Sequence, residues 1–298
     1  MSYPLVTVII PCFNYGKYLP DAFESIRQQN YPNIEIIVVD DGSTDNTRDI
    51  VEKNGKAKYI YQTNQGLSSA RNTGIKNSKG EFIIFLDADD ILLPDAINTN
   101  LRYLKENEKL AFVSGAFEVN FTESGEIIDK IQEVKSDHYV CLLYGNYIGV
   151  PAVVLYRRWI FDEILFDLSL KSCQDYNLSL EIARKHPVFH HTKKIASYRI
   201  HNSNMSSNIP AMLSEVLYIL ETQKKYLTTI SEKKAYKRGK KNWKYYYCQE
   251  LYQKLLAGKI PETDAVLDTL RKYKPGFLFR YLLTKIFLRN KSDKIRRL

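Results

Sequence analysis

Three acidic residues directly after an apolar run are the clearest candidates for chemistry in this sequence. The run spans residues 82–86 and leads into Asp87, Asp89 and Asp90. Five apolar residues without alternation predict a strand buried on both faces of a parallel sheet. If the chain stays extended past this strand, Asp87 and Asp89 project to the same side and can share one Mg²⁺ or Mn²⁺ ion through carboxylate oxygens. A turn rich in Asp, without any ligand, is the alternative that this pattern alone leaves open.

Apolar runs on either side of this stretch predict the sheet that would position these acids. Strands are predicted at residues 7–11, 35–39, 59–61 and 82–86, and helices at 21–30, 45–51, 67–75 and 94–105. Strands that alternate with helices of this length predict an α/β fold with a doubly wound, mostly parallel sheet through about residue 110. Open sheets of this kind bind ligands at the carboxyl ends of their strands, which is where Asp87 and Asp89 lie.

The stretch after residue 110 is less regular. Strands are predicted at 112–119 and 153–157, and the polar residues 123–137 between them predict either a hairpin or a mobile loop over the site. Residues 171–184 have the apolar spacing of an amphipathic helix, with Asp175 at its N-terminus. A carboxylate there can act as a general base, and it can equally serve only as a helix cap.

A loop is predicted at residues 198–206, after this helix. It combines basic groups with the imidazole of His201, which suits a diphosphate and its metal ion. A histidine with a structural role, or one exposed to solvent, is the alternative.

Composition limits the class of protein. A chain of 298 residues is long enough for one large α/β domain and an appendage. Its four cysteines form no C-x-x-C pair, which favours reduced thiols over disulfides or a zinc site. Neither a signal peptide nor an apolar run of about 18 residues is present, so we expect a cytoplasmic protein that does not span a membrane.

The charge is distributed unevenly along the chain. Residues 1–221 hold 22 Lys and Arg against 28 Asp and Glu, a net charge of −6, whereas residues 222–298 hold 21 against 6, a net charge of +15. Helices are predicted at 212–220, 236–256 and 263–273, and an interruption at 274–276. We therefore expect a first domain over residues 1–210 and an all-helical, basic C-terminal appendage over residues 211–298.

The end of the appendage is both apolar and basic. Residues 277–288 contain nine apolar residues in twelve, too few to span a bilayer but suited to its interface. Basic residues on both sides would meet anionic headgroups, so we expect residues 272–298 to associate with the inner face of the plasma membrane. A solvated basic face, helices packed on the catalytic domain, and a nucleic-acid contact are the alternatives. The acidic first 221 residues and the lack of any zinc, RNP or helix-turn-helix pattern disfavour nucleic acid.

Four motifs, taken in order, resemble those of family 2 inverting glycosyltransferases of the GT-A type. They are VIIPCFN at 8–14, VVDDGSTD at 38–45, Gly66-Leu67 with Ala70-Arg71-Asn72, and DADD at 87–90. The resemblance continues more loosely to about residue 206 and does not cover the appendage. It implies a GT-A-type, Rossmann-like fold and inverting transfer of a sugar from a nucleotide sugar, with UDP as the nucleotide. The acceptor that it implies is a saccharide or a lipid-linked saccharide in bacterial surface-polysaccharide synthesis.

The resemblance also implies roles for individual residues. Those that it places around the nucleotide are Pro11, Phe13, Asn14, Asp40, Asp41, Arg71, Asp87 and Ala88. Asp41 would accept a hydrogen bond from uracil N3–H, Asp87 and Asp89 would bind the metal ion, and His201 would contact the ion or the diphosphate. Asp175 would be the catalytic base. The family has an acidic pair at that point, but the first position here is Gln174, so only the Asp carries over.

Two other classes remain to be compared with this one. A sugar-phosphate nucleotidyltransferase would have a glycine-rich phosphate loop after the first strand, and residues 12–17 do not form one. A non-catalytic scaffold related to glycosyltransferases is left open by Gln174. If Asp175 is not the base, the next candidates are Asp162, Asp167 and Glu181.

Overall fold

The computed structural model of the chain describes residues 3–201, 204 and 207–295, with side chains as far as residue 287. It forms two compact units, one of residues 1–142 and 146–204 and one of residues 143–145 and 205–298. The division therefore falls at residue 204, whereas the sequence predicts it at residue 210. The assignment of separate roles to the two parts stays a prediction.

The first unit is built on one mixed sheet. Its strands are β1 (Val6–Cys12), β2 (Ile34–Asp40), β3 (Ala57–Tyr61), β4 (Phe82–Phe85), β5 (Ile91–Leu92), β6 (Phe112–Phe121), β7 (Glu126–Lys130), β8 (Val154–Arg157) and β9 (Val188–Ile200). The helices are α1 (Leu19–Arg27), α2 (Thr47–Asn54), α3 (Leu67–Asn77), α4 (Ala96–Glu106), α5 (His138–Tyr144), which ends in the second unit, and α6 (Gln174–Lys185). The sheet order is β3-β2-β1-β4-β8-β6-β9-β5, and β7 pairs with β6.

The first four strands are parallel, as predicted. In β1, Val8 lies opposite Ile36 of β2 and Ile84 of β4, and all three pairs of neighbouring strands run in the same direction. Every residue of β1 and β4 is buried, which explains why their sequences are apolar without alternation. The carboxyl ends of β1, β2 and β4 consequently meet at one edge of the sheet.

The second half of the sheet differs from the prediction. The strand β9 pairs in parallel with β6 over nearly its full length, and residues 198–200, expected in a loop, belong to it. Polar residues interrupt the apolar pattern of β9, and its partner strand lies more than 60 residues earlier in the chain, so local sequence gave no signal. The strand β7 pairs antiparallel with β6, so residues 123–137 contain the hairpin rather than a loop without pairing.

Helix boundaries shift by a few residues from those predicted. The helix α2 begins at Thr47, with Asp45 accepting from its N–H at 3.1 Å, and α4 begins at Ala96, two residues beyond Pro94. The helix α3 lies unusually close to β1, because a Cβ at Gly74 would be 2.3 Å from Cγ2 of Ile9. Only glycine permits this approach.

The regular elements of the second unit are all helices among its described residues, as predicted. It contains α7 (Ile209–Gln223), α8 (Ile230–Leu256), α9 (Asp264–Tyr273) and α10 (Pro275–Ile295). A capping box of Thr229 and Glu232 starts α8. Pro275 occupies the first position of α10, so the predicted interruption is the start of the next helix. Within the described part of the chain, no helix is long and apolar enough to cross a bilayer.

Candidate active site

The polar edge of the sheet brings together most of the residues predicted to bind a nucleotide. Pro11 lies in β1, Phe13 follows it with 46% of its surface exposed, and Asp40 and Asp41 end β2. Ala88 is buried in the turn after β4. These residues lie on three adjacent parallel strands, because Cys12 pairs with Asp40 and Ile9 with Phe85.

Asn14 connects the first two of these loops. It has a left-handed backbone with φ of +57°, and its side-chain oxygen accepts from the N–H of Thr44 at 2.8 Å. Its own N–H donates to Oγ of Ser43 at 2.9 Å. The amide of Asn14 therefore holds the shape of the two loops, and its predicted contact with a nucleotide remains a prediction.

The two acids at the end of β2 are both held by the protein. Asp40 accepts from the N–H of Ser43 and from the hydroxyl of Tyr59, each at 2.7 Å. Burial, together with this hydrogen bond to a carboxylate, raises the pKa of the Tyr59 hydroxyl, which stays a donor. Asp40 thus has a structural role in the described contacts.

Asp41 is buried, and three donors from one loop hold its carboxylate. Oδ1 accepts from the side-chain amide of Gln62 at 2.7 Å and from the N–H of Gln65 at 2.9 Å. Oδ2 accepts from the N–H of Gly66 at 2.8 Å. An ionised carboxylate has about four acceptor positions. One position, on Oδ2, is therefore left for a ligand.

Arg71 on α3 is the only arginine of the first three motifs, and it is 2% exposed. Its Nη2 donates to Oδ1 of Asp87 at 2.7 Å, and its guanidinium carbon lies 5.2 Å from the ring centroid of Phe166. Nε and Nη1 are buried without a hydrogen-bond partner among the described residues. Buried donors are normally satisfied. These two N–H groups are candidates to bind a ligand.

The acidic residues after β4 form a turn, because the N–H of Asp90 donates to the carbonyl of Asp87 at 3.0 Å. The expectation that the chain stays extended through Asp89 is therefore wrong. The two carboxylates still influence each other. Burial raises the pKa of Asp89, and the charge of Asp87 raises it further.

The end of β9 closes over this turn. Nε2 of His201 lies 3.0 Å from Oδ2 of Asp89, and the side-chain amide of Asn204 donates to the same oxygen at 3.2 Å. The ring of Tyr18 stacks on His201 with centroids 4.8 Å apart. The sequence prediction that His201 and Asp89 belong to one site agrees with this contact.

Arg199 fixes the backbone of the same turn. Its N–H donates to Oδ1 of Asp90 at 3.1 Å, its Nε donates to the carbonyl of Asp89, and its Nη1 pairs with Asp21 at 2.6 Å. Asp90 is buried, and burial raises its pKa well above the usual range, with the charges of Asp89 and Asp87 contributing.

Asp175 lies at the second position of α6, after Cys173 in a left-handed conformation with φ of +56°. Burial raises the pKa of Asp175, the charge of Arg71 lowers it, and the charge of Asp87 raises it. These electrostatic effects require the three side chains to lie near one another. The structure thus brings the predicted base to the predicted nucleotide site. Gln174 faces inward instead, and its amide donates to the carbonyl of Leu170.

The helix α3 also holds the segment that leads to α6. Asn72 exchanges two hydrogen bonds with the backbone of Phe166, at 2.9 and 3.0 Å, and Ser68 donates to the carbonyl of Asp167 at 2.8 Å. Arg71 and Asn72 are adjacent in sequence, so one helix positions both the Asp87 contact and the segment before Asp175.

Comparison with known proteins agrees with this geometry. The family described as glycosyl transferase family 2 matches residues 7–165, which is more than half of the chain. The chain belongs to glycosyl transferase family 2. The putative glycosyltransferase EpsH of Bacillus subtilis (strain 168) is 32% identical over 261 residues, covering 80% of this chain and 73% of that protein. Several other relatives are longer, and the chain spans about a third of their length.

Two solved structures have a similar fold. TarS 1-349 of S. aureus in complex with UDP-GlcNAc has a TM-score of 0.66 and 19% identity, covering 90% of this chain and 80% of that one. The mannosyltransferase PcManGT from Pyrobaculum calidifontis in complex with GDP-Man and Mn²⁺ has a TM-score of 0.60 and 16% identity, covering 96% and 88%. The GT-A fold class is confirmed, and membership of the family confirms the enzyme class, glycosyltransferase.

The carboxylate oxygens and the imidazole at the Asp87–Asp90 turn are groups that can bind a hard divalent cation. Two carboxylates that repel each other lie next to an imidazole, and a cation would relieve that repulsion. Residues 3–201, 204 and 207–287 contain no preformed group of three or more His, Cys, Asp or Glu side chains arranged to hold a metal. Asp87, Asp89 and His201 as ligands therefore stay a prediction.

Several residues of the site carried no signal of their own in the sequence. Gln62 lies in a loop between motifs, and Phe166 lies about 80 residues beyond the last of the four motifs. Asn204 reaches the site only through the pairing of β9, and the same pairing brings His201 against the ring of Tyr18. Arg199 lies in the same predicted segment as His201, residues 198–206. Its hydrogen bonds to the Asp87–Asp90 turn depend on tertiary structure and could not be predicted from the sequence.

Proposed function

We propose that this protein transfers a sugar from a UDP-sugar to a saccharide or lipid-linked saccharide, with inversion at the anomeric carbon. The observation that carries this proposal is the buried Arg71, which pairs with Asp87 at 2.7 Å and retains two N–H groups without a partner among the described residues, while its charge lowers the pKa of Asp175. It joins a buried carboxylate on α6 to the turn that the family uses for the donor. A purely structural cap on α6 would have no reason to lie beside an arginine with unused N–H groups.

The nucleotide would occupy the edge formed by β1 and β2. Phe13 offers an exposed aromatic face for stacking, and Oδ2 of Asp41 retains one acceptor position for uracil N3–H. Nε and Nη1 of Arg71 would donate hydrogen bonds to the bound nucleotide sugar. The complex of S. aureus TarS with UDP-GlcNAc supports a UDP-sugar as donor.

A divalent cation, Mn²⁺ or Mg²⁺, would be held by Asp87, Asp89 and His201. When bound, it neutralises negative charge on the leaving diphosphate. The imidazole of His201, fixed by stacking on Tyr18, would keep Asp89 oriented toward the ion. The complex of the P. calidifontis mannosyltransferase with Mn²⁺ supports a divalent metal in this fold.

The acceptor hydroxyl would lose its proton to Asp175 as it attacks the face opposite the leaving group. Burial raises the pKa of the Asp175 carboxyl, which makes the carboxylate a stronger base than that of an exposed aspartate, and the charge of Arg71 partly offsets this rise. Direct displacement inverts the anomeric centre, and no second carboxylate is needed.

The acceptor is proposed to be presented at the cytoplasmic leaflet, as expected for polysaccharide synthesis. The helix α10 supports this proposal with two opposite apolar faces. One face packs within the second unit, where Phe277 stacks on Tyr252 at 5.2 Å and Tyr281 is 7% exposed. The residues of the other face recur at helical spacing and are all exposed: Phe279, Leu282, Leu283, Ile286 and Phe287.

Charge favours a bilayer as the occupant of this exposed face. The region from 222 to 298 has a net charge of +15, which attracts anionic lipid and opposes association with a second copy. Lys285 is already paired with Glu262, so the attraction would come from the other basic residues. Residues 272–298 are therefore proposed as a peripheral membrane contact.

Hydrolysis of nucleotide sugars, measured with added Mn²⁺ and with EDTA, tests the catalytic proposal. We expect release of UDP from at least one UDP-sugar, abolished by EDTA. Asp89→Asn should lower the rate by about 100-fold or more, because the loss of one metal ligand costs several kcal/mol of transition-state stabilisation. Asp49→Asn, an exposed aspartate on α2, is the matched control and should keep the wild-type rate.

Full activity in EDTA would overturn the metal assignment. Wild-type protein that binds UDP-sugars but turns over none of them, with or without acceptor, would favour the non-catalytic scaffold.

A further inference from the structure

Gln62 and Thr73 determine how Asp41 presents its carboxylate. We propose that Gln62, held by Thr73, is a positioning residue that directs Asp41 toward the nucleotide base and so sets a preference for uracil. This inference rests on the proposed function, and it names residues that fix the donor specificity of the same site.

The contacts form a chain from α3 to the end of β2. The hydroxyl of Thr73 donates to the side-chain oxygen of Gln62 at 2.6 Å. The amide nitrogen of Gln62 donates to Oδ1 of Asp41 at 2.7 Å and lies 3.2 Å from Oγ of Ser69. Ser69 and Thr73 are one helical turn apart on α3, so both face the same side chain.

These contacts determine which way the amide of Gln62 points. Its oxygen has a donor in Thr73, and its nitrogen has an acceptor in Asp41. A flipped amide would place an oxygen against the carboxylate of Asp41 and lose both hydrogen bonds. Thr73 is therefore what keeps Gln62 in the orientation that neutralises part of the charge of Asp41.

The consequence for Asp41 is a fixed direction for its free acceptor position. Gln62 and the N–H of Gln65 occupy Oδ1, and the N–H of Gly66 occupies one position of Oδ2. The remaining position on Oδ2 can accept only from a donor. Uracil offers an N–H at ring position 3, whereas cytosine has an acceptor there, which a buried carboxylate would repel.

Binding of UDP and CDP, measured by calorimetry in the presence of Mn²⁺, tests the inference without relying on turnover. We expect the wild type to bind UDP more tightly than CDP. Gln62→Leu removes the donor to Asp41 at similar volume and should weaken UDP binding about tenfold, which is about 1.4 kcal/mol, because the hydrogen bond that is lost is made to a charged group. CDP binding should change by less than about twofold, so the ratio of the two affinities falls.

Thr73→Val tests the same series of hydrogen bonds while Gln62 and Asp41 stay unchanged. It removes one hydroxyl at nearly constant volume, and we expect UDP binding to weaken about threefold with little effect on CDP. Thr63→Val, at an exposed position of the neighbouring loop, is its matched control, and Gln28→Leu on α1 is the control for Gln62→Leu. Both controls should bind UDP as the wild type does.

The outcomes separate this inference from the proposed function. If Gln62→Leu and Thr73→Val weaken UDP and CDP equally, or weaken neither, Gln62 has only a structural role and the inference is overturned, while a UDP-sugar donor stands. A wild type that binds UDP no better than CDP overturns the preference for uracil and the positioning role with it. Should Gln62→Leu fail to fold, Thr73→Val alone decides.

Discussion

At the scale of single residues, the site depends on Arg71 more than on any one carboxylate. This arginine lies against Asp87 and Phe166, and its charge acts on Asp175. An arginine that is 2% exposed is stable only when its charge is balanced. Asp87 and Asp175 supply that balance, so the guanidinium of Arg71 serves both the proposed donor site and the proposed base.

The base assignment leads to a prediction about pH. Asp175→Asn should lower kcat by about 10²–10⁴-fold with a true acceptor and leave UDP binding nearly unchanged, because a general base acts in the transition state. In the wild type the rate should fall as the pH falls through the pKa of Asp175. Burial raises that pKa, so the fall should occur above the range of an exposed aspartate.

A pH–rate profile of kcat for the wild type and Asp175→Asn checks this prediction. Asp49→Asn, at an exposed position of α2, is the matched control and should keep the wild-type profile. A rate for Asp175→Asn within threefold of the wild type would leave Asp175 as a cap, and the search for the base would move to Asp162, Asp167 and Glu181.

Much of the residue-level site was predictable because the residues follow apolar strands whose register needs no tertiary information. Asp41 and Asp87 belong to this group, since any parallel arrangement of β2 and β4 brings their ends together. Other residues of the site do not belong to this group, because their partners are far away in sequence. Gln62 is 21 residues from its partner Asp41, and Phe166 is 94 residues from its partner Asn72. Arg199 is 109 residues from Asp90 and 178 residues from Asp21. Polar residues in loops have no period that would reveal such contacts.

At the scale of elements, the helix α3 holds several parts of the first unit together. One helix supplies Arg71 to Asp87, Asn72 to the segment before α6, and Ser69 with Thr73 to Gln62. Its distance from β1 is set by Gly74, where a Cβ would lie 2.3 Å from Cγ2 of Ile9. A β-branched side chain on a buried strand cannot move aside easily.

Overpacking usually costs about 1–3 kcal/mol, and alanine in a helix offsets about 1 kcal/mol of that cost. Because the Cβ would lie 2.3 Å from Cγ2 of Ile9, we expect Gly74→Ala to destabilise the first unit by a net amount of up to about 2 kcal/mol. Urea unfolding checks it in a Trp243→Phe background, where Trp159 is the only tryptophan left and reports on the first unit. Lys76→Ala, exposed on the same helix, should leave the midpoint nearly unchanged. An unchanged or higher midpoint for Gly74→Ala would show that α3 can move away from β1 at little cost.

The strands that the sequence did not predict share one property. The short β5 has two residues, and β9 contains a bulge opposite Ser114 and Ala116 and a polar middle. Both are defined by their pairing with distant strands, so neither has a local pattern of apolar residues. In the second unit, by contrast, α7, α8 and α9 were predicted, because helical periodicity is local, whereas α10 was covered only by the general expectation of an all-helical appendage.

At the scale of the whole molecule, the chain combines an acidic first part with a basic helical second part. Residues 1–221 carry a net charge of −6 and residues 222–298 a net charge of +15. A negative leaflet would attract the second part and repel the first, so such a charge distribution orients a protein at a membrane. Both units have their own internal packing, so the membrane proposal can be tested without disturbing the catalytic site.

The exposed face of α10 supplies the decisive test. Leu283 and Ile286 are 50% and 58% exposed, so replacing both with Gln should not destabilise the fold. Each substitution would remove an apolar side chain that the wild type can bury in a vesicle containing anionic lipid. We therefore expect the double variant to sediment with such vesicles about tenfold less efficiently than the wild type. In the matched control, Gln replaces Ile127 and Ile131. These two isoleucines belong to the first unit and are each 54% exposed, and the control should sediment as the wild type does.

Deletion of residues 275–298 completes the test, because it separates membrane attachment from packing. The membrane proposal expects a folded protein that hydrolyses the donor in solution, no longer sediments with vesicles, and transfers poorly to a lipid-linked acceptor. High salt should weaken the sedimentation of the wild type, since the electrostatic part of the attraction is screened over about 10 Å at 0.1 M salt. Failure of the intact protein to bind anionic vesicles at low salt would instead mean that α10 serves only the packing of the second unit.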